Sequence, residues 1–213
     1  HNLQHIPEGM KTPDMCRTAF FASQDLGFDH CVILNYIPYP EICLVGLKDS
    51  LNGPDMISLA QTLRPETIDK EIAGFLVEHD GCCLSCIPVH LQTEELALKA
   101  VSVSGNQALG YTTVREDVKT EKVYLAGMGE DCFQSYLHIP EQKRTPEICL
   151  VAEKLYPQLF KEKPEVVPDH VKTGCNLYTL GKTLEGATGK KYDVDEVKRL
   201  YNGAVSYTHL RAH

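Results

Sequence analysis

The chain has 213 residues, 43% of them hydrophobic and 23% charged. That is an ordinary globular composition, and no apolar run approaches the roughly eighteen residues a bilayer-spanning helix needs. The formal charge of −8 and pI near 5.6 make the mean surface repel phosphate backbones, which argues against a nucleic-acid partner, as the missing apolar run argues against a membrane one.

The chain opens at His1, without the basic-then-apolar pattern of a signal peptide, and reads as a fragment. Its nine cysteines lack the dense, even framework of a secreted mini-domain. The expected setting is therefore cytoplasmic and reducing, with free thiols.

In chain order, a unit recurs. Ile6-Pro7 is followed by Lys11-Thr12-Pro13-Asp14-Met15-Cys16, and Ile139-Pro140 by Arg144-Thr145-Pro146-Glu147-Ile148-Cys149. Weaker copies contain Tyr39-Pro40-Glu41-Ile42-Cys43, Asp69-Lys70-Glu71-Ile72-Ala73, Thr93-Glu94-Glu95-Leu96-Ala97 and Thr120-Glu121-Lys122-Val123-Tyr124. The anchors Thr12, Tyr39, Asp69, Thr93, Thr120 and Thr145 are spaced by 27, 30, 24, 27 and 25 residues, and Lys172-Thr173 continues the rhythm.

The anchor chemistry predicts helix starts. Thr accepts a backbone N–H as N-cap, proline at the first helical position gives up only an orphan donor, and the acid that follows favours the positive end of the helix dipole. Three residues after each anchor stand Met15, Ile42, Ile72, Leu96, Val123 and Ile148. Four after stand Cys16, Cys43, Ala73, Ala97, Tyr124 and Cys149. Seven after stand Ala19, Gly46, Leu76, Ala100, Gly127 and Ala152. That spacing is one helical face, and small residues at offset seven let a neighbouring backbone approach.

A glycine-containing or polar turn then leads to a shorter apolar segment, as in Cys31 to Tyr36, Ala108 to Tyr111 and Cys132 to Leu137, often closed by Ile-Pro. Four or five buried apolar side chains, at about 1.5–3 kcal/mol each, do not offset ordering a repeat at about 1–2 kcal/mol per residue. Stacking is required. The expected fold is all-α, an α-solenoid of helical-hairpin repeats of about 24–30 residues.

About six repeats occupy residues 1–160. Residues 161–204 read as a diverged capping repeat or the start of a separate domain, with a helix expected over Asp193 to Asn202. Residues 205–213 read as the translation of a sequencing adapter.

The Pro-Glu-x-Cys-Leu starts at Pro40-Glu41-Ile42-Cys43-Leu44 and Pro146-Glu147-Ile148-Cys149-Leu150, with the Asn35-Tyr36-Ile37-Pro38 turn, resemble the domain of unknown function 4116. This is a short helical repeat of bacterial proteins, and the resemblance covers about residues 3–160. It implies a fold and no reaction.

Chemically suggestive residues are few. Cys82, Cys83 and Cys86 have the spacing of half a zinc site or a redox pair, but no second pair completes it and burial as small apolar side chains explains them better. Cys16, Cys43 and Cys149 share one repeat position, as core filling requires. His30-Cys31 suggests a dyad by adjacency only. Gly181-Lys182-Thr183 lacks the upstream glycine of a phosphate loop, and Asp193, Asp195 and Glu196 read as a charged helix start.

The structural anchors Thr12, Pro13, Cys16, Pro40, Cys43, Thr93, Thr120, Thr145, Pro146 and Cys149 thus carry the reading. It is that of a non-enzymatic scaffold that binds another protein and needs no cofactor. One alternative is an accessory repeat region of a larger enzyme or secreted effector whose catalytic domain lies elsewhere. Another is a metal-binding protein built on the cysteine cluster.

Overall fold

The computed structural model describes residues 3–25, 33–49, 55–129, 133–173 and 176–211. Among them all regular structure is helical and no strand occurs, nor is any helix long and apolar enough to cross a membrane. The expected turn at 26–29, and His30, Cys31, Asp131, Cys132, Gly174 and His213, lie outside the described residues.

The chain forms two compact units, His1–Lys119 and Thr120–His213. The division falls inside the expected repeat array, directly before the Thr120 anchor.

The first unit contains α1 (Pro13–Asp25), α2 (Pro40–Asp49), α3 (Met56–Thr62), α4 (Lys70–His79) and α5 (Glu94–Ser104). Helices α1 and α2 pack together, as do α3 and α4, and α4 and α5. The second unit contains α6 (Glu121–Ala126), α7 (Gln134–Leu137), α8 (Pro146–Leu155), α9 (Pro157–Glu162), α10 (Asp169–Lys172), α11 (Leu177–Thr188) and α12 (Val194–Arg211). Here α8 packs against α6, α9, α11 and α12.

All six anchors stand directly before a helix. The hydroxyls of Thr12, Thr93, Thr120 and Thr145 accept the backbone N–H three residues on, at 3.2–3.3 Å, and the Asp69 carboxylate does the same at 2.9 Å. Tyr39 has no such acceptor. Its hydroxyl instead donates to the Lys11 carbonyl at 2.6 Å.

The face behind the caps is the expected one. Offset four is buried in all six copies, and offset seven in every copy except Ala19. Small residues there do admit close neighbours. A Cβ on Gly46 would lie 2.7 Å from Leu34 and 2.8 Å from Phe20, and one on Gly81 would lie 2.1 Å from the Ala100 carbonyl oxygen.

Three expectations shift. The short second segments divide evenly, with 3-10 turns at Gly81–Cys86 and Gly105–Leu109 and α turns at 33–34 and at α7. Segments this short hold too little chain for more than about one turn of α-helical ladder.

A second family of 3-10 turns, unforeseen, precedes five of the caps at Glu8–Met10, Pro65–Thr67, Val89–Leu91, Glu116–Val118 and Glu141–Lys143. Finally, Thr173 does not start the next helix. Its hydroxyl donates to the Asp169 carbonyl and closes α10, and Asn176 caps α11 through a reciprocal box with Thr179.

Helix α3 was also outside the repeat pattern. Asp55 caps it, accepting from the Ser58 backbone N–H at 2.8 Å. The backbone of 205–211 continues α12 as helix.

Candidate functional site

At the ends of the short segments the carbonyls of Tyr36, Ile87 and Ile139 each accept from a side chain, and a buried carbonyl requires a donor. In four of the six copies the residue directly before the cap supplies one. Lys11, 7% exposed, donates from Nζ to the Tyr36 carbonyl at 2.9 Å. Gln92, 1% exposed, donates from Nε2 to the carbonyls of Ile87 at 2.9 Å, Thr113 at 3.1 Å and Leu84 at 3.4 Å, while its Oε1 accepts from the Arg115 N–H at 2.8 Å.

Lys119 is ion-paired with Glu116 at 2.8 Å and reaches the Tyr111 carbonyl at 3.4 Å. Arg144 spends Nε on Ile139 at 3.0 Å, Nη1 on Val166 at 3.0 Å and Nη2 on Leu137 at 3.3 Å, with its guanidinium 4.7 Å from the Tyr136 ring centroid. The Tyr136 hydroxyl donates to the same Val166 carbonyl at 2.8 Å.

Pro38 and Ile68 hold this position in the other two copies. The signal for these clasps was a Lys, Gln, Lys or Arg directly before each threonine cap. It was missed because such residues ordinarily read as solvated.

The six described cysteines are free thiols. Burial pushes Cys43 up to about 12 and Cys149 up to about 11, and raises Cys16. The Cys43 thiol donates to the Ile37 carbonyl at 3.6 Å, and Cys149 lies 3.5 Å from the Tyr136 hydroxyl.

In the cluster, Cys83 is fully buried, Cys82 nearly so and Cys86 half-buried. Burial raises all three, with the Asp80 carboxylate adding to the effect at each. Raised thiols are poor nucleophiles and poor metal ligands. Among the described residues no three His, Cys, Asp or Glu side chains come together to hold a metal ion.

Gly181-Lys182-Thr183 lies inside α11, where Lys182 pairs with Glu153 at 2.7 Å. Helix interior offers no phosphate cradle, because its N–H groups are already bonded. Asp193 accepts from the Glu196 N–H at 2.6 Å and caps α12 as a helix-start residue does.

The surface offers a groove of about 250 Å³ between α4 and α5, lined by Lys70, Gly74, His90, Leu96 and Lys99. Leu96 is half-exposed, whereas its counterparts Ile42, Ile72, Val123 and Ile148 are buried. A half-exposed leucine beside Lys70, Glu95 and Lys99, the last ion-paired with Glu78, is surface a partner can cover.

Compared with known proteins, the chain matches no family model, no curated protein and no solved structure.

Proposed function

We propose that this chain is a non-catalytic α-solenoid scaffold of the domain of unknown function 4116 type, and that it binds another protein along its surface. One observation carries the reading: side-chain hydrogen bonds recur at separations close to one repeat. Lys11 to Tyr36 spans 25 residues, Tyr39 to Lys11 28, Thr113 to Ser85 28, Arg144 to Val166 22 and Tyr136 to Val166 30. Nearest-neighbour ties of this kind are what hold a quasi-one-dimensional stack together.

Repetition here constrains the caps, the offset-four face and the clasps, and leaves the outer residues free to differ between repeats. The six described thiols, which burial favours in the protonated form, offer no activated nucleophile. The α4–α5 groove with Leu96 is the part of this surface proposed to meet the partner.

Photo-crosslinking tests it. Gly74 lines the groove and has open space beside its Cα, as does Gly186 on α11. A benzoylphenylalanine at Gly74, in cells expressing the chain, is expected to give one discrete crosslinked protein that the same probe at Gly186 does not give. Equal or absent crosslinking at both positions overturns the proposal.

A further inference from the structure

We infer that Cys83 and Cys86 are a thiol–disulfide exchange pair: Cys86 receives a low-molecular-weight disulfide from the cleft beside α3, and Cys83 resolves it. The inference goes beyond the scaffold reading and starts from register. Six turns close in the same way, the N–H of Ile6, Ile37, Leu63, Ile87, Val114 and Ile139 donating to the carbonyl three residues earlier at 3.1–3.3 Å.

In that register Cys86 stands one residue before the closing N–H, where the other turns carry His5, Tyr36, Thr62, Thr113 and His138. None of these is buried, so the core does not have to be filled from this place. Cys83 stands four residues before the closing N–H, where Ile33, Leu59 and Ser135 are buried as it is. Among the described turns only this one carries cysteine at both places. Cys16, Cys43 and Cys149 recur as packing residues do, and the pair at 83 and 86 does not.

The local geometry suits a bridge. Gly81–Cys86 is a 3-10 turn, in which residues three apart eclipse one another and their Cα atoms stand about 6 Å apart. That separation lies within the span of a disulfide. Cys82, a third of a turn out of phase with Cys86, does not share the face.

The two thiols meet different surroundings. Cys83 is fully buried, and Cys86 alone among the described cysteines is not buried. Cys86 lines a cleft of about 450 Å³ together with Ile57, Gln61, Ser85, Tyr111 and Thr113. A disulfide entering the cleft meets Cys86 first, and Cys83, with no exposed surface, is reached through it.

The exchange balances. The Cys86 thiolate attacks one sulfur of the small disulfide, whose S–S bond breaks, leaving a mixed disulfide on Cys86 and releasing one thiolate. The Cys83 thiolate then attacks the Cys86 sulfur and expels the second. Two protein thiols are oxidised, one small disulfide is reduced to two thiols, and the protons given up by the cysteines pass through solvent to the leaving groups. Burial favours the protonated form of both cysteines, so the exchange is slow, and neither has to be an activated nucleophile.

The test incubates the folded full chain with oxidised glutathione and maps the peptide that holds Cys82, Cys83 and Cys86. That peptide should become two hydrogens lighter through a Cys83–Cys86 bond, carry no glutathione and revert with dithiothreitol, while the circular dichroism spectrum of the chain stays unchanged. Cys83→Ala should stall with one glutathione on Cys86, Cys86→Ser should leave the peptide unmodified, and Cys82→Ala should behave as the parent. Glutathione retained on Cys86 in the parent overturns the inference, as does a bridge from Cys82. So does a folded chain in which this peptide survives a treatment that oxidises it in the urea-unfolded chain. The parent measurement decides by itself, so a variant that fails to fold leaves the outcome intact, and none of these results depends on crosslinking at Gly74.

Discussion

Gln92 in the first compact unit and Arg144 in the second stand at the same place in the repeat, one residue before a threonine cap, and meet the same need with different chemistry. Gln92 is neutral and serves both ways, giving its amide protons to carbonyls and accepting the Arg115 N–H. Arg144 can only donate, so it takes three carbonyls and adds a face-on contact with the Tyr136 ring. The position is defined by carbonyls within reach of the residue before the cap, and a side chain with enough donors can fill it.

The comparison breaks first at the clasps. Arg144→Ala removes the side-chain donors to the Ile139 and Leu137 carbonyls, leaves Val166 with the Tyr136 hydroxyl, and is expected to cost about 3 kcal/mol in urea unfolding, and Gln92→Ala about 2 kcal/mol. Arg144→Gln should recover part of the loss if the two residues are interchangeable solutions. A Gln92→Ala protein as stable as its parent would show that the first unit's clasp is ornamental.

The next effect comes from glycine. Gly46→Ala pushes a methyl into Leu34 and Phe20 and should destabilise by about 1–3 kcal/mol, more than the helix propensity it gains. Gly74→Ala meets nothing within 4 Å and should stabilise by about 0.5–1 kcal/mol. Equal signs would mean that close approach at offset seven is not what selects glycine.

Smaller still are the caps: Thr93→Ala and Thr145→Ala should each cost about 1 kcal/mol.

Last is alkali. Burial raises Cys149 to about 11, against an ordinary value of 9.0, so above that ordinary value the unfolded chain sheds a proton that the folded chain retains. The thiol's contribution to stability is whole below pH 9 and falls as pH rises through 11. Ala97 at the same offset in the first unit has no such dependence. Cys149→Ala should therefore flatten the loss of stability between pH 9 and 11, and an unchanged slope would remove this thiol from the account.

Much of the helical framework was legible because it is local. A threonine that caps its own helix needs no information from elsewhere, and a buried face follows from spacing along one helix. Thus Thr12, Thr93, Thr120 and Thr145 could be placed in advance, and Cys16, Cys43 and Cys149 could be read as core. The seventh start failed for an equally local reason. Thr173 had a competing acceptor in the Asp169 carbonyl, while Asn176 offered the stronger, reciprocal cap.

The sequence by itself determined that the chain is helical, where six of its helices begin and which face of each turns inward. Only the tertiary structure decided that Lys11, Gln92, Lys119 and Arg144 reach carbonyls of neighbouring segments, that two of the second segments tighten into 3-10 turns, and that Leu96 and Met15 stand exposed where their counterparts are covered. Caps and periodicity are properties of a few consecutive residues. The partner of a carbonyl or the cover over a leucine is set by whichever segment lies alongside, and spacing along the chain carries no record of that.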